Sequence, residues 1–461
     1  MYHTDRKVAS AKLIASKKRS SNDTGERFQA QESKFTLLPG LHAKYRRSGS
    51  VGSMEYKNIY DFENLLKCAD ECAKGVRWKA SVQMFEVNKL RWVAQLKRQL
   101  ENETYKSKGF NEFWISERGK MRFIQSVHIS ERCVQKSLSN NVLKPVIIPK
   151  LIYDNSASLK GKGTEFALRR LKCHLERHYR EHGRKGGILI LDFKNYFGSI
   201  DHEKLVSLLK ANFDGPTNEM IKAFIDAFDG HAGIGLGSEI SQICAVFFPN
   251  LLDHYIKEKL HIKGYGRYMD DSYLIHENIQ YLKRCLDEIK VICGELGISI
   301  NNKRARIVRF DSGSFEYLKK RITLNEDGSV TMRLTRNNVT RRKRILRKQR
   351  ENLTAGHTTL ESIIQSQQSW KGYARKYNTH KVINMIDWYF YNLFREELDE
   401  WLIQTIERKC LNSSKISVNK STKDLMKLAR RMSKNEKLIE LLTSEESRKQ
   451  NKTSSAVSSR R

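Results

Sequence analysis

The spacing of apolar positions changes several times along the chain, and each change marks a structural unit. From Met54, "MEYKNIYDFENLLKCADECAKG" repeats apolar residues every three or four positions and predicts helix. More helical stretches follow, and "GKMRFIQSVHIS" (119–130) then predicts an extended segment with a basic beginning. "GGILILDF" (186–193) is a short unbroken apolar run behind two glycines, the pattern of a buried strand. "SEISQICAVFFPNLLDHYIKEKL" (238–260) predicts a helix that Pro249 must kink or break. "GYGRYMDDSYLIH" (264–276) predicts a hairpin, with two adjacent carboxylates between short apolar arms. "QYLKRCLDEIKVICGELG" (280–297) predicts an amphipathic helix ended by Gly297, and "SGSFEYLKKRITLNEDGSVTMRL" (312–334) a second hairpin turning at Asn325–Gly328.

From residue 335 the pattern becomes helical and basic. "RRKRILRKQR" (341–350) is cationic at seven of ten positions, and the aromatic-rich helices of "SWKGYARKYNTHKVINMIDWYFYNLF" (369–394) follow. Residues 1–53 are rich in Ser, Lys and Arg without periodicity, which predicts a disordered basic arm. Residues 411–461 return to that composition and predict a mobile basic tail with one helical piece. Met54 offers an alternative start of translation, and the Ser- and Lys-rich beginning leaves a cleaved transit peptide open.

Charge narrows the choice of partner. Lys and Arg number 85 against 52 Asp and Glu, a net +33, which calls for nucleic acid or an anionic membrane surface. No apolar run is long enough to span a bilayer, and the N-terminus lacks a signal peptide's apolar stretch. The eight cysteines include no C-x-x-C pair, so they read as reduced thiols of a cytosolic protein rather than a zinc site.

The acidic pair Asp270–Asp271 stands out in so basic a chain. A tight hairpin is better served by Asn-Gly or Asp-Gly, and like charges side by side repel. Ligation of a hard divalent cation explains it: Mg²⁺ takes carboxylates, waters and substrate phosphates. Phosphoryl transfer uses two such ions about 4 Å apart. Adjacent strand residues face opposite ways, so a third carboxylate from another strand is required. Asp192, ending the apolar run of 186–193, is the candidate.

These residues also carry a resemblance. "YMDD" (268–271) resembles the catalytic motif of reverse transcriptases, and "LDFKNYFGSID" (191–201) the first palm motif of their bacterial members. "GRYMDD", with Arg267, is similar to group II intron and related bacterial enzymes. "GIGLGSEISQ" (233–242) resembles the G-L-P-x-G-x-x-x-S-Q segment of diversity-generating retroelement enzymes, with Gly235 in place of Pro and Leu236 where others carry Gln. "GKMRFI" (119–124) resembles the basic fingers motif, "LKGKGTEFAL" (159–168) a template–primer segment, and "LGISINNKRARI" (296–307) the fourth palm motif. "FEYLKKRI" (315–322) resembles the primer-grip hairpin. The resemblance spans about 54 to 395.

It implies an α/β right-hand polymerase with basic disordered termini. The arm would be 1–53, N-terminal helices and fingers 54–185, an antiparallel palm 186–330, a helical thumb 331–410 and the tail 411–461. Asp192, Asp270 and Asp271 would be catalytic and, with the Phe193 carbonyl, would hold two Mg²⁺, for which Mn²⁺ could substitute. Lys120 and Arg122 would meet the incoming triphosphate, with Gly237, Gln242 and Lys303 also at the nucleotide, Lys303 as general acid. The ring of Phe197 would exclude a 2′-hydroxyl. Lys160, Lys162, Tyr268 and Met269 would lie along template and primer, and Arg341, Arg342, Lys343 and Arg344 along phosphates. Implied partners are an RNA template, a DNA or RNA primer, dNTPs and a structured cognate RNA, with an accessory protein optional and no membrane. The setting would be bacterial cytoplasm, with a bacterial or phage gene. A retroelement enzyme, an antiphage polymerase on a dedicated non-coding RNA and a non-catalytic RNA-binding maturase stay open as roles. No C-x-x-C endonuclease segment or ribonuclease H-like acidic cluster follows the thumb.

Overall fold

The computed structural model describes residues 54–117, 119–411 and 420–444. The expected arm 1–53 and the tail stretches 412–419 and 445–461 lie outside the described residues. Helices come first: α1 (Met54–Tyr60), α2 (Phe62–Ala73), α3 (Ala80–Val87) and α4 (Lys89–Glu101). The Asp61 carboxylate caps α2 by accepting from the Asn64 amide, and α2 buries Leu65, Cys68, Ala69 and Cys72 on one face. That pair of cysteines is therefore core, and burial pushes the Cys72 thiol up to about 12.

Strands β1 (Phe110–Glu117) and β2 (Lys120–Val127) form an antiparallel hairpin. The sequence pattern predicted β2 but not β1. In "FNEFWISE" apolar residues fall on both faces, so period-2 alternation is lost, and Trp114 stays 63% exposed. Helix α5 (Ile129–Leu138) follows, then α6 (Thr164–His182).

The central sheet has the order β4-β5-β3-β6, all antiparallel, from β3 (Gly187–Asp192), β4 (Gly264–Tyr268), β5 (Asp271–His276) and β6 (Arg306–Arg309). Strand β3 is central and buried at all six positions, which is why its apolar run is unbroken. Ile188 and Ile190 pack with Leu168, Leu171 and Leu175 of α6. The two glycines before this run are steric necessities: a Cβ on Gly186 would lie 2.2 Å from the His276 carbonyl, and one on Gly187 2.4 Å from that of Val308. Helices α7 (His202–Lys210) and α8 (Gly215–Asp226) lie between β3 and the next pair. The chain breaks at Pro249, as expected, into α9 (Glu239–Phe247) and α10 (Asn250–Glu258). Helix α11 (Ile279–Leu296) joins β5 to β6 and ends on Gly297 at φ +76°.

A three-stranded meander comes next: β7 (Phe315–Tyr317), β8 (Lys320–Leu324) and β9 (Val330–Leu334), so the expected second hairpin gains a strand before it. The final layer is helical, with α12 (Arg336–Thr354), α13 (Leu360–Ala374), α14 (His380–Leu393), α15 (Arg395–Leu411) and α16 (Lys420–Met432). The helical piece expected in the tail is α16, but over 420–444 the segment is packed rather than mobile. Leu425, Met426, Ala429, Leu438 and Leu442 are buried in one cluster with Phe390, Phe394 and Leu402. A few apolar residues at helical spacing anchor this segment even where Lys and Arg dominate its composition.

Candidate active site

Strand β3 ends in Asp192 and β5 begins with Asp271, and the two are direct partners in the register. Directly opposed residues share a face, so both carboxylates serve one rim of the sheet. The two-residue turn Met269–Asp270 joins β4 to β5 and brings the third carboxylate. The Phe193 amide donates to the Asp270 carbonyl at 3.2 Å. In an extended residue N–H and C=O point the same way, which directs the Phe193 carbonyl to this side as well.

The turn is strained and held from beneath. Met269 has φ +54°, a conformation that favours Gly at the first position of a two-residue turn. Such strain costs on the order of 1–3 kcal/mol. Arg267, 1% exposed, opposes it by donating Nη1 to the Met269 carbonyl at 3.0 Å. Its Nε and Nη2 donate to the two oxygens of Asp253 at 2.8 and 2.7 Å, and Nη2 also to the Val246 carbonyl at 2.8 Å. The Tyr265 hydroxyl donates to Asp253 as well, at 2.6 Å. Burial works against the guanidinium charge, and Asp253 outweighs it, leaving Arg267 above its usual value. The Pro249 break therefore matters to the site, because it starts the helix that delivers Asp253.

Asp192 is 5% exposed, and each of its carboxylate oxygens accepts a hydrogen bond. Its carboxylate accepts from Asn301 Nδ2 at 2.7 Å and Arg304 Nη1 at 3.1 Å, and its main-chain carbonyl from the Asn301 amide at 2.8 Å. Burial, then Asp270 and Asp192, push Asp271 up to about 7. Burial and Asp192 also raise Asp270, against the opposing charges of Arg304 and Arg122. An all-oxygen donor set in which burial and neighbouring carboxylates disfavour the charges of Asp270 and Asp271 suits a hard divalent cation. Among the described residues no three such side chains are gathered to hold a metal ion as they stand.

The other expected residues divide. Arg122 is close enough to stabilise the Asp270 charge. Lys120 opens β2, but its side chain lies outside the described residues. Phe197 is half-buried on the helical turn Tyr196–Ser199, its ring edge-on to Tyr196 at 5.8 Å. Tyr268 is half-buried opposite Asp271, and Met269 is buried. Gly237, at φ +118°, brings the 233–237 loop against β2, where a Cβ would sit 3.2 Å from the Gln125 carbonyl. Gly235, in the place of Pro, has a similar cause: a Cβ would meet the Phe228 ring at 2.5 Å. Gln242 accepts from the Ser158 hydroxyl at 2.7 Å. Lys303 and Lys160 are exposed. Lys162 is turned inward: it donates to the Tyr153 and Asn155 carbonyls at 2.6 and 3.0 Å and lies over the Tyr153 and Phe166 rings.

Arg342 is a correction. It is 4% exposed and donates to Gln367 and Ser366, so it ties α12 to α13 instead of meeting phosphates. Lys343 is half-buried against the Tyr389 ring at 5.2 Å. Helical periodicity decides this, since a run of ten residues covers every face of a helix. The exposed face carries Arg336, Arg341, Arg344, Arg347 and Lys348. Replacing Arg341, Arg344, Arg347 and Lys348 with Gln should flatten the log–log salt dependence of RNA affinity by about 3 if each neutralises one phosphate. Parallel slopes for variant and wild type in a binding titration would return this face to plain solvation.

Asp253, Asn301 and Arg304 escaped the sequence reading. Asp253 did leave a signal, a lone acid within the apolar "NLLDHYI". Asn301 and Arg304 flank Lys303 in "NNKRAR", where spacing alone could not choose among neighbouring cations.

Residues 106–324, from just before β1 to the end of β8, match the family model described as reverse transcriptase (RNA-dependent DNA polymerase). The carboxylate rim lies inside a reverse transcriptase domain, a class that generally uses divalent metal ions and acts on nucleic-acid template, primer and nucleotides. The protein is an RNA-directed DNA polymerase, a nucleotidyltransferase. No curated protein matches the chain. No helix among the described residues is long and apolar enough to cross a membrane.

Proposed function

We propose that the chain extends a primer on an RNA template by two-metal nucleotidyl transfer. The observation that carries this is the register pairing of Asp192 with Asp271 beside the Met269–Asp270 turn. The β3–β6 sheet serves as palm (186–330), the β1–β2 hairpin within 54–185 as fingers, and the helices of 331–410 as thumb. Asp192, Asp270, Asp271 and the Phe193 carbonyl would hold Mg²⁺, which supplies activation of the attacking 3′-hydroxyl and stabilisation of the leaving oxygen. The primer 3′-oxygen attacks the α-phosphate and pyrophosphate leaves. Arg122, whose charge favours ionised Asp270, would meet the triphosphate, and Arg304, already on Asp192, is a second cation at the site.

Purified protein with RNA template, annealed primer, dNTPs and Mg²⁺ should extend the primer. Chelation should stop extension and Mn²⁺ restore it; extension that needs no divalent ion would refute the mechanism. The intact carboxylate trio speaks against a non-catalytic scaffold. The "GIGLGSEISQ" loop favours a bacterial retroelement role, which a template/variable repeat pair in flanking DNA would support and a defence cluster would replace with an antiphage role.

Phe197 is the proposed sugar gate. Phe197→Val should raise ribonucleotide incorporation relative to deoxynucleotide by at least about tenfold, the scale of one hydrophobic pocket contact. Unchanged discrimination in competition assays would remove Phe197 from that role.

A further inference from the structure

The two oxygens of the Asp192 carboxylate are held by partners of different kinds. Oδ2 accepts from the neutral Asn301 Nδ2 at 2.7 Å, and Oδ1 from the cationic Arg304 Nη1 at 3.1 Å. Asn301 sits on backbone that is paired to Asp192 itself. Its amide donates to the Asp192 carbonyl at 2.8 Å, and the Lys194 amide donates to the Ser299 carbonyl at 2.7 Å. Phe193 and Ile300 form an antiparallel bridge between these bonds, so 299–301 continues the pairing beyond the end of β3.

Arg304 is held differently. Its amide and that of Ala305 both donate to the Asn301 carbonyl at 2.9 Å, which fixes the turn from which the side chain leaves. Beyond that turn the side chain is 61% exposed, against 7% for that of Asp192. An ion pair with so exposed a cation adds little to stability, so holding the fold does not account for it. Its charge nonetheless reaches the whole rim. Against the burial that raises Asp270 and Asp271, Arg304 favours the ionised form of both. A guanidinium beside three carboxylates offsets their mutual repulsion, as a hard divalent cation would. Two cations at one carboxylate oxygen repel each other in turn.

We propose that Arg304 competes with the divalent cation for Asp192 Oδ1, and so sets the metal concentration that the site requires, while Asn301 keeps the carboxylate aimed by holding Oδ2. The proposal rests on the two-metal reading above. Arg304 is a displaceable counter-ion and Asn301 a positioning residue, and neither bonds to substrate or moves a proton in these roles. Freeing Oδ1 requires only that one exposed side chain swing away, with β3 and the 299–301 segment left where they stand.

Mn²⁺ titrated into the full chain, followed by water-proton relaxation, reads the competition without any turnover. Arg304→Gln should tighten Mn²⁺ binding by about fivefold, the upper end for one exposed charge pair. Arg304→Lys should stay within about twofold of wild type, because a charge remains in reach of Oδ1. Lys303→Gln removes the same charge from the neighbouring exposed position, where solvent screens it, and should also stay within about twofold. Asn301→Ala should act in the opposite sense and weaken binding by at least about tenfold, the usual result of taking a hydrogen-bond partner from a metal ligand. In primer extension, the Mg²⁺ midpoint should fall for Arg304→Gln and rise for Asn301→Ala. Two residues that merely ordered the loop would shift it the same way. Mn²⁺ affinity of Arg304→Gln that is unchanged, weaker or matched by Lys303→Gln would overturn the proposal. The Arg304 and Lys303 variants decide it by themselves if Asn301→Ala does not fold. Wild-type protein that binds no Mn²⁺, or binding that survives Asp192→Asn, would instead overturn the two-metal reading.

Discussion

Asp271→Asn should lower nucleotide addition by at least about a thousandfold, since metal-assisted charge stabilisation supplies several kcal/mol at the transition state. The amide cannot supply the charge that a hard cation requires. The same substitution should leave the fold at least as stable as wild type. Asp271 is half-buried beside like charges; desolvation first, then Asp270 and Asp192, push its carboxyl up to about 7, and Asn relieves both costs. Single-turnover primer extension together with a melting curve checks both halves. Robust extension by the variant would remove Asp271 from the metal site, and a large loss of stability would show that the carboxylate also serves the fold. Asp270→Asn should give the same kinetic loss, because Asp270 stands on the same rim and is likewise resisted by Asp192.

Arg267→Met should destabilise the protein by about 3–5 kcal/mol, the usual result of leaving one partner of a buried ion pair alone. Here the abandoned group is Asp253, whose side chain is fully buried with that of Arg267. Adding Asp253→Leu to Arg267→Met should recover much of the stability, because replacing both charges with apolar groups removes the desolvation penalty. It should not recover activity: the Met269 carbonyl still lacks its donor, and the strained φ of +54° loses the support that Arg267 gave it. Chemical denaturation and primer extension on the two singles and the double form the cycle. Equal recovery of stability and activity would mean that the turn needs no support from Arg267.

Much of this architecture was legible where local pattern and tertiary environment agree. The run "GGILILDF" reads as a central strand because burial on both faces leaves no polar position, and β3 occupies that place. Pro249 ends one helix and begins another whatever surrounds it, because it lacks an amide proton. The adjacent aspartates announce a site because repulsion and turn chemistry both disfavour them there. Strand β1 was not legible, since its apolar residues face both ways and imitate no single period.

By itself, then, the sequence determined the central strand, the acidic hairpin, the helix break and the cationic helix of 336–354, all features set by neighbours within a few residues. Tertiary structure alone decided that Asp192 stands opposite Asp271, that Arg304 and Asn301 grip Asp192, and that Asp253 anchors the turn through Arg267. It also decided which cations serve solvent and which serve the fold, burying Arg342 and Lys320 and tying Lys162 to main-chain carbonyls while leaving Arg341 and Arg344 outside. The physical reason is the same in each case. A charged side chain costs free energy when buried unless partners meet it, and those partners come from segments that only the folded chain brings together.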